Sequence, residues 1–407
     1  MSVHSRFVPL QNSRFRLLFL ATAASGIGNW LAIIALGLDM YDRTHSGWWV
    51  GELMFANIVP AIFIGLLLGP LVDRLSRKRL MIASDLCRLG VFAALPFADT
   101  PSAIVLLAVV AGIGNAFFRP AVLAGVPNLV PATELSASNA LLQLVDWTAT
   151  ALGPVLGALL VAASGPHLVY VVNAATFAFS ALLVLFIPGR LLQSERSIGR
   201  GQWEDLTEGF AVVRHSRALM CVLVVWSIAM CASGIVNTAE VFLAKQAFHS
   251  GDIGFGLLWA GSGIGLIVGG LMAVPLIERD VGAAYVRFIA IMAVGTACAA
   301  VAPNVWVGIA AMALFGFGNG GAVVANITLV QRGAPDRVRG RAFTVLMSVN
   351  YAFLGLAFIA AGPLVNAYGA RWAYAVASAT VVVAAAVALR YTRGIEFDLS
   401  PASQASA

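Results

Sequence analysis

Long apolar runs separated by short polar stretches recur from one end of the chain to the other. Each run has the length that a helix needs to cross the hydrocarbon layer of a bilayer. The pattern predicts helices at about residues 16–40, 48–70, 80–97, 103–122, 139–162, 168–188, 219–242, 254–276, 285–302, 305–329, 342–365 and 371–390. Twelve crossings leave both ends of the chain on the same side. The expectation is an all-α integral membrane protein. The first run, preceded by Arg14 and Arg16, continues to about Leu38. That exceeds the core of a cleavable signal, so a retained first helix is expected.

The polar stretches orient this scheme. Most of the 25 Lys and Arg fall in alternate loops: Arg6, Arg14 and Arg16, then Arg74 to Arg79, Arg190 to Arg217, Arg279 and Arg287, Arg332 to Arg341, and Arg390 and Arg393. Arg43, Lys245 and Arg371 fall on the other side. Basic loops stay in the cytoplasm. The pattern therefore predicts a multi-pass protein of the cell (inner) membrane with both termini cytoplasmic. The longest hydrophilic stretch, Gly189 to Ser216, carries Trp203, Leu206, Phe210 and Val213 at helical spacing. It reads as an amphipathic linker helix, either lying in the membrane interface or solvated.

The two halves look like copies. Ala-Ser-Gly-Ile-Gly-Asn at 24–29 returns as Ala-Ser-Gly-Ile-Val-Asn at 232–237, and Gly-Ile-Gly-Asn at 112–115 as Gly-Phe-Gly-Asn at 316–319. Pro131 with Pro335 and Gly165 with Gly369 keep nearly the same offset, about half the length. The expected organisation is a cytoplasmic N-terminus (1–15), a six-helix bundle (16–188), a cytoplasmic linker (189–217), a second six-helix bundle (218–391) and a disordered cytoplasmic tail (392–407).

Composition agrees with the pattern: 60% of residues are apolar and 11% charged, and the mean hydropathy is +0.89. A soluble protein carries about a quarter charged residues. The net charge of +6 does not indicate nucleic acid, because the basic residues form no continuous face. Cys87, Cys221, Cys231 and Cys298 lie within apolar runs without metal-ligand spacing. They read as buried apolar side chains, with no disulfide framework and no metal site. There is no Gly-x-x-x-x-Gly-Lys-Ser/Thr loop. The Gly-rich pieces at 261–265 and 316–321 lie inside apolar helices, where Gly261, Gly265 and Gly269 mark a packing face. No cofactor and no enzymatic activity are expected.

The stretch from Gly69 to Arg79 concentrates five charges, Asp73, Arg74, Arg77, Lys78 and Arg79, between two spanning runs. Gly69, Leu71, Asp73, Arg74, Arg77 and Lys78 resemble the signature loop between the second and third helices of the major facilitator superfamily. Ser76 stands where that family usually has Gly, which puts the local turn in question. Gly153-Pro154-Val-Leu-Gly157 resembles the Gly-Pro-x-x-Gly motif of proton-coupled exporters in that superfamily, with Ala158 in place of a further Gly. Its alternative is a kink for packing alone. The segments Ser25 to Trp30, Thr44 to Gly47, Phe118 to Pro120, Leu129 to Pro131, Asn139-Ala140 and Gly153-Pro154 are similar to the branch of macrolide-efflux and enterobactin-export proteins. The resemblance implies two six-helix pseudo-repeats of the major facilitator fold. It also implies Asp73 and Arg77 as gating residues, with Asp73 docking at a helix end of the other half.

Ionisable residues inside apolar runs are costly. Asp39, Glu52 and Glu240 fall near the extracellular ends of helices one, two and seven. They are candidates to take a proton outside and release it inside, or else to form ion pairs. Asp85, Arg88, Arg119 and Asp146 are expected to join the Asp73 and Arg77 loop in one cytoplasmic gating network. Asn29 with Trp30, Asn237, Asn115 and Asn319 fall near mid-helix and are candidate substrate contacts, with helix packing as the alternative. The function expected is a monomeric, proton-coupled antiporter exporting a hydrophobic or amphiphilic small molecule. An importer or facilitator of a small metabolite is the alternative within transport, and a membrane sensor or scaffold the alternative outside it.

Overall fold

The computed structural model describes residues 7–58, 75–192, 202–335 and 338–392. The chain is helical throughout these residues. In order, α1 is Ser13–Thr44, α2 starts at residue 47 and is described to 58, α3 is Arg77–Ala94, α4 Pro101–Gly125, α5 Leu135–Ser164 and α6 Pro166–Leu185. A linker helix, Gln202–His215, follows. Then come α7 Arg217–Phe242, α8 Gly251–Arg279, α9 Val281–Val301 and α10 Val305–Gly333. The last run, Arg339–Thr392, is broken at Gly369 (φ 80°, ψ 171°) into α11 (339–368) and α12 (370–392). Apart from the linker helix and the partly described α2, these segments are long and apolar enough to cross a membrane, α11 and α12 being taken together as one run. Residues 59–74, with Gly69, Asp73 and Arg74, lie outside the described residues, as do Arg337 and the C-terminal tail.

The pseudo-repeat is written into the backbone. Gly165 (φ 76°) and Gly369 (φ 80°) make the same left-handed break at the α5–α6 and α11–α12 turns. Only glycine adopts such φ values without strain. His45 (φ 49°) and His249 (φ 51°) end the first helix of each half in the same way. Helix starts also match: Asn12 and Ser216 cap α1 and α7, and Thr100 and Asn304 cap α4 and α10, each side-chain oxygen accepting N–H groups of the first turn. Ser76, at the start of α3, has φ −65°, so the turn there makes no demand for glycine.

α1 packs on α5 and α6, and α3 on α4 and α6; in the second half α7 packs on α11–α12, and α10 on α8 and α9. The glycine face of α8 meets the backbone of α10: a Cβ at Gly261, Gly265 or Gly269 would strike the carbonyls of Ile309, Ala313 or Phe317. The Gly-rich pieces are therefore a helix–helix contact. The linker helix docks on α11 through buried Val213, the close approach of Gly209 to the Arg341 carbonyl and a Glu208–Arg341 ion pair. Phe210, 53% exposed, points away from that contact. The expected stripe thus divides between a protein-facing and an outward-facing part, while the side chains of Trp203 and Leu206 lie outside the described residues.

Candidate functional site

The face of the bundle that carries the linker is called here the linker side, and the opposite face the far side. A cavity of about 540 Å³ lies between the halves. It runs from Trp30, Asn237, Trp259 and Asn319 at mid-bundle to Val222, Val330 and Phe343 near the linker-side ends of α7, α10 and α11. Most of its wall comes from α7, α8, α10 and α11; Trp30 and Thr150 represent the first half. Among the described residues no Asp, Glu, Lys, Arg or His lines it. Trp30 and Trp259 meet edge to face, with ring centroids 5.7 Å apart. Together with Asn237 they also border a smaller cavity of about 170 Å³ towards the far side, where Met54 and Phe358 line it. Of the expected substrate contacts, Trp30, Asn237 and Asn319 are therefore brought together. Asn29 and Asn115 instead line a separate pocket of about 40 Å³ between α1, α2, α3 and α4. Trp226, Trp259, Asn326 and Asn350, which no motif in the sequence marks, belong to the same wall. An Asn inside an apolar helix was the available signal.

The charged residues resolve into separate units. Asp85 and Arg88 are buried in the first half, 2.6 Å apart, and Ser180 Oγ donates to the second Asp85 oxygen at 2.7 Å. The Arg88 guanidinium lies between the rings of Phe118 (4.7 Å) and Phe177 (4.2 Å) and donates to Asn115 Oδ1. Arg119 and Asp146 form a second, two-pronged pair joining α4 to α5. The two pairs share no hydrogen bond, so they do not merge into one network. Arg77 donates to the Ala124 and Leu192 carbonyls at 2.8 and 3.1 Å, and Lys78 to the Leu185 carbonyl at 2.6 Å. Both cations thereby satisfy carbonyls at the C-terminal ends of α4 and α6.

The carboxylates near the far side differ in their surroundings. Asp39 is held by Arg43 Nε at 2.7 Å and by the Tyr170 hydroxyl at 2.8 Å, and Arg43 reaches on to the Ala98 carbonyl. Glu240 is 1% exposed and its Oε1 has no hydrogen-bond partner. It lies within electrostatic reach of Tyr374, the repeat counterpart of Tyr170. Glu52 is half-buried on α2, beside the contact of Gly51 with the Phe358 carbonyl of α11.

That contact belongs to a closed far side. The Gly47 N–H donates to Asn366 Oδ1 at 2.6 Å, Asn366 Nδ2 donates to Ser46 Oγ, and Gly47 and Gly362 bring α2 and α11 backbone to backbone. Lys245, in a π-helical turn that ends α7, bridges Asp42 of α1 at 2.5 Å and Asp252 of α8 at 2.7 Å, over the ring of Tyr41. None of this ionic bridge was singled out from the sequence, because Asp42 and Lys245 are far apart in the chain and look like ordinary loop charges.

The sequence matches the Major Facilitator Superfamily over residues 18–355 and again over 241–406. The chain belongs to that superfamily. The multidrug efflux pump Tap of Mycolicibacterium fortuitum is 26% identical over 402 residues, covering 94% of this chain and 97% of that protein. The enterobactin exporter EntS of Salmonella typhimurium is 27% identical over 340 residues, covering 80% of each. The crystal structure of the nucleoside transporter NupG superposes with a TM-score of 0.75 at 16% identity, over 93% of this chain and 99% of that one. That last likeness carries the fold. The protein is thus a multi-pass membrane transporter of the superfamily, acting on small molecules, and not an enzyme.

The residues that resemble the Gly-Pro-x-x-Gly motif have concrete contacts here. Gly153 lies against Trp30 and Gly157 against the Leu31 backbone, so the Gly-Pro segment of α5 lets α1 approach. On its other side, Gly256 of α8 fits against the Pro154 carbonyl and Ala158 Cβ. The methyl group of Ala158, where the motif has Gly, is accommodated by a glycine on the facing helix. The motif therefore sits where the two halves meet.

Proposed function

We propose that this transporter is a proton-coupled antiporter that exports a hydrophobic or amphiphilic small molecule from the cytoplasm, working as a monomer in the cell (inner) membrane with both termini cytoplasmic. The observation that carries the reading is the pairing of a central cavity without ionisable lining with a buried, unpartnered carboxylate, Glu240, close to the closed far side. A cavity of this kind offers nothing to neutralise a charged solute, and desolvating one there is costly. The basic bias of the linker-side loops supports a cytoplasmic position for that side, and the efflux relatives support loading from within. Trp30, Asn237 and Asn319 contact the substrate. Asn29 and Asn115 support the α1 and α4 walls behind it.

Glu240 carries the proton. Asp39, already satisfied by Arg43 and Tyr170, has less freedom to do so, and Glu52 stands at the α2–α11 contact where a change of charge would act on the gate. Arg77 and Lys78, with Gly69, Asp73 and Arg74 of the same loop, gate the linker side. Asp85 with Arg88 and Arg119 with Asp146 hold the first half rigid during that movement. The testing experiment is efflux from energised cells or inverted vesicles, with and without a proton uncoupler. Accumulation in inverted vesicles that an uncoupler collapses is the expected result. Uptake into intact cells, or transport indifferent to the uncoupler, would overturn the reading.

The ionic bridge on the far side makes a further expectation. Ion pairs at partly exposed positions are each worth about 0.2–1 kcal/mol. Lys245→Met, which breaks both pairs, is expected to shift the equilibrium towards far-side opening by roughly 2- to 30-fold. The measurement is the rate at which an impermeant thiol reagent modifies a cysteine placed at Met54, in the smaller cavity. An unchanged rate would show that the α2–α11 contact alone sets the gate.

A further inference from the structure

We propose that Asn326 and Asn350 form a recognition subsite on the linker side of the central cavity for the neutral donor–acceptor group of an aromatic substrate, a carboxamide being the simplest such group. The proposal rests on the reading of this cavity as the transport site.

The two side chains are 5% and 1% exposed, and both line the cavity. Asn326 has an unpartnered Oδ1, and Asn350 an unpartnered Nδ2. Ser227 Oγ, from α7, donates to Asn350 Oδ1 at 2.9 Å. In this arrangement the NH2 group of Asn350 is its free end. One residue therefore offers an acceptor and the other a donor. Buried polar atoms without partners are uncommon and destabilising, so a pair of opposite polarity in the wall of one cavity calls for a ligand.

The polarity selects the ligand. A carboxamide presents a carbonyl to Asn350 Nδ2 and an N–H to Asn326 Oδ1. A carboxylate or phosphate has acceptors only and would set oxygen against Asn326 Oδ1; an ammonium has donors only and would leave Asn350 unmatched. With no ionisable lining among the described residues, neither charged form finds a counter-charge. Trp226, Phe343 and Tyr351 in the same wall supply aromatic faces for the body of the ligand.

The test compares benzanilide with trans-stilbene, which has nearly the same shape and lacks the amide, and adds the cation ethidium and the anion benzoate. Binding is measured by equilibrium dialysis on the full chain in lipid nanodiscs, with empty nanodiscs as blank. Wild type is expected to favour benzanilide over the other three. Asn326→Leu and Asn350→Leu are each expected to weaken benzanilide by about two- to tenfold, the loss of one neutral hydrogen bond, and to leave stilbene unchanged. Ser227→Ala, which frees the Asn350 amide to turn, is expected to give a smaller loss for benzanilide alone. Equal affinity of wild type for benzanilide and stilbene, or an equal loss for both in the variants, would overturn the subsite and leave the amides as packing groups. Preference for ethidium or benzoate would overturn the substrate class. Trp30→Ala addresses the underlying reading separately: if it alters binding of none of the four, and transport of none, the cavity is not the transport site.

Discussion

Asp85→Ala is expected to destabilise the protein by on the order of 3–5 kcal/mol, the usual cost of leaving a buried charge without its partner. Arg88 is 1% exposed and lies between two phenylalanine rings. With Asp85 gone it keeps only a long bond to Asn115 Oδ1, at 3.4 Å, and one to the Ser84 carbonyl. Neither bears a charge. The companion variant Asp85→Leu with Arg88→Leu is expected to recover much of the loss, because replacing both members of a buried pair by apolar groups is often neutral. The measurement is the unfolding midpoint and the monodisperse yield in detergent. A single variant as stable as wild type but slow in transport would mean that the pair works as a gate and not as the core of the first half. The contacts favour the core role: the pair is held by groups of α3, α4 and α6, all in the first half.

The architecture was legible in the sequence because its signals are long and redundant. Twelve apolar runs, alternating basic loops and two offset repeats all demand the same arrangement. The segments that resemble the efflux branch carried finer information than their brevity suggests. Thr44 to Gly47 turns out to be the far-side closure on Asn366, Phe118-Arg119 supplies one face of the Arg88 sandwich and the partner of Asp146, and Leu129 accepts from Asn12 at 2.7 Å. The candidate site was only half legible. Asn237 and Asn319 stood out because the repeat marks them, whereas Asn326 and Asn350 correspond in the repeat to Val122 and Asp146 and sit in apolar runs like any helix-packing amide. Pairings across the halves, such as Lys245 with Asp42, depend on distances that no local pattern encodes. The gating network was expected as one because charge spacing shows which residues share a helix face, not which of them a neighbouring helix encloses.

Glu240→Gln is expected to abolish transport driven by a pH gradient while leaving substrate exchange across the membrane intact. The amide has the shape of the protonated acid and no proton to give up. If the transporter changes face with Glu240 in its neutral form, the variant is held permanently in that form. It should exchange substrate for substrate but fail to accumulate it against a gradient. The position supports this. Glu240 is on α7, one of the helices that line the cavity, and Oε1 is buried without a partner. The carboxylate near the far-side end of α1, Asp39, is paired with Arg43 and accepts from the Tyr170 hydroxyl. Asp39→Asn should therefore act differently, releasing Arg43 and loosening the α1–α6 contact, with losses in stability as well as in transport. Proteoliposomes separate the two activities: one set receives an imposed pH gradient, the other is loaded with unlabelled substrate and given labelled substrate outside. Loss of both activities in a stable, folded Glu240→Gln protein would point to a structural role for the carboxyl. Full gradient-driven transport would remove Glu240 from the coupling mechanism and leave Asp39 and Glu52 as the carboxylates to examine.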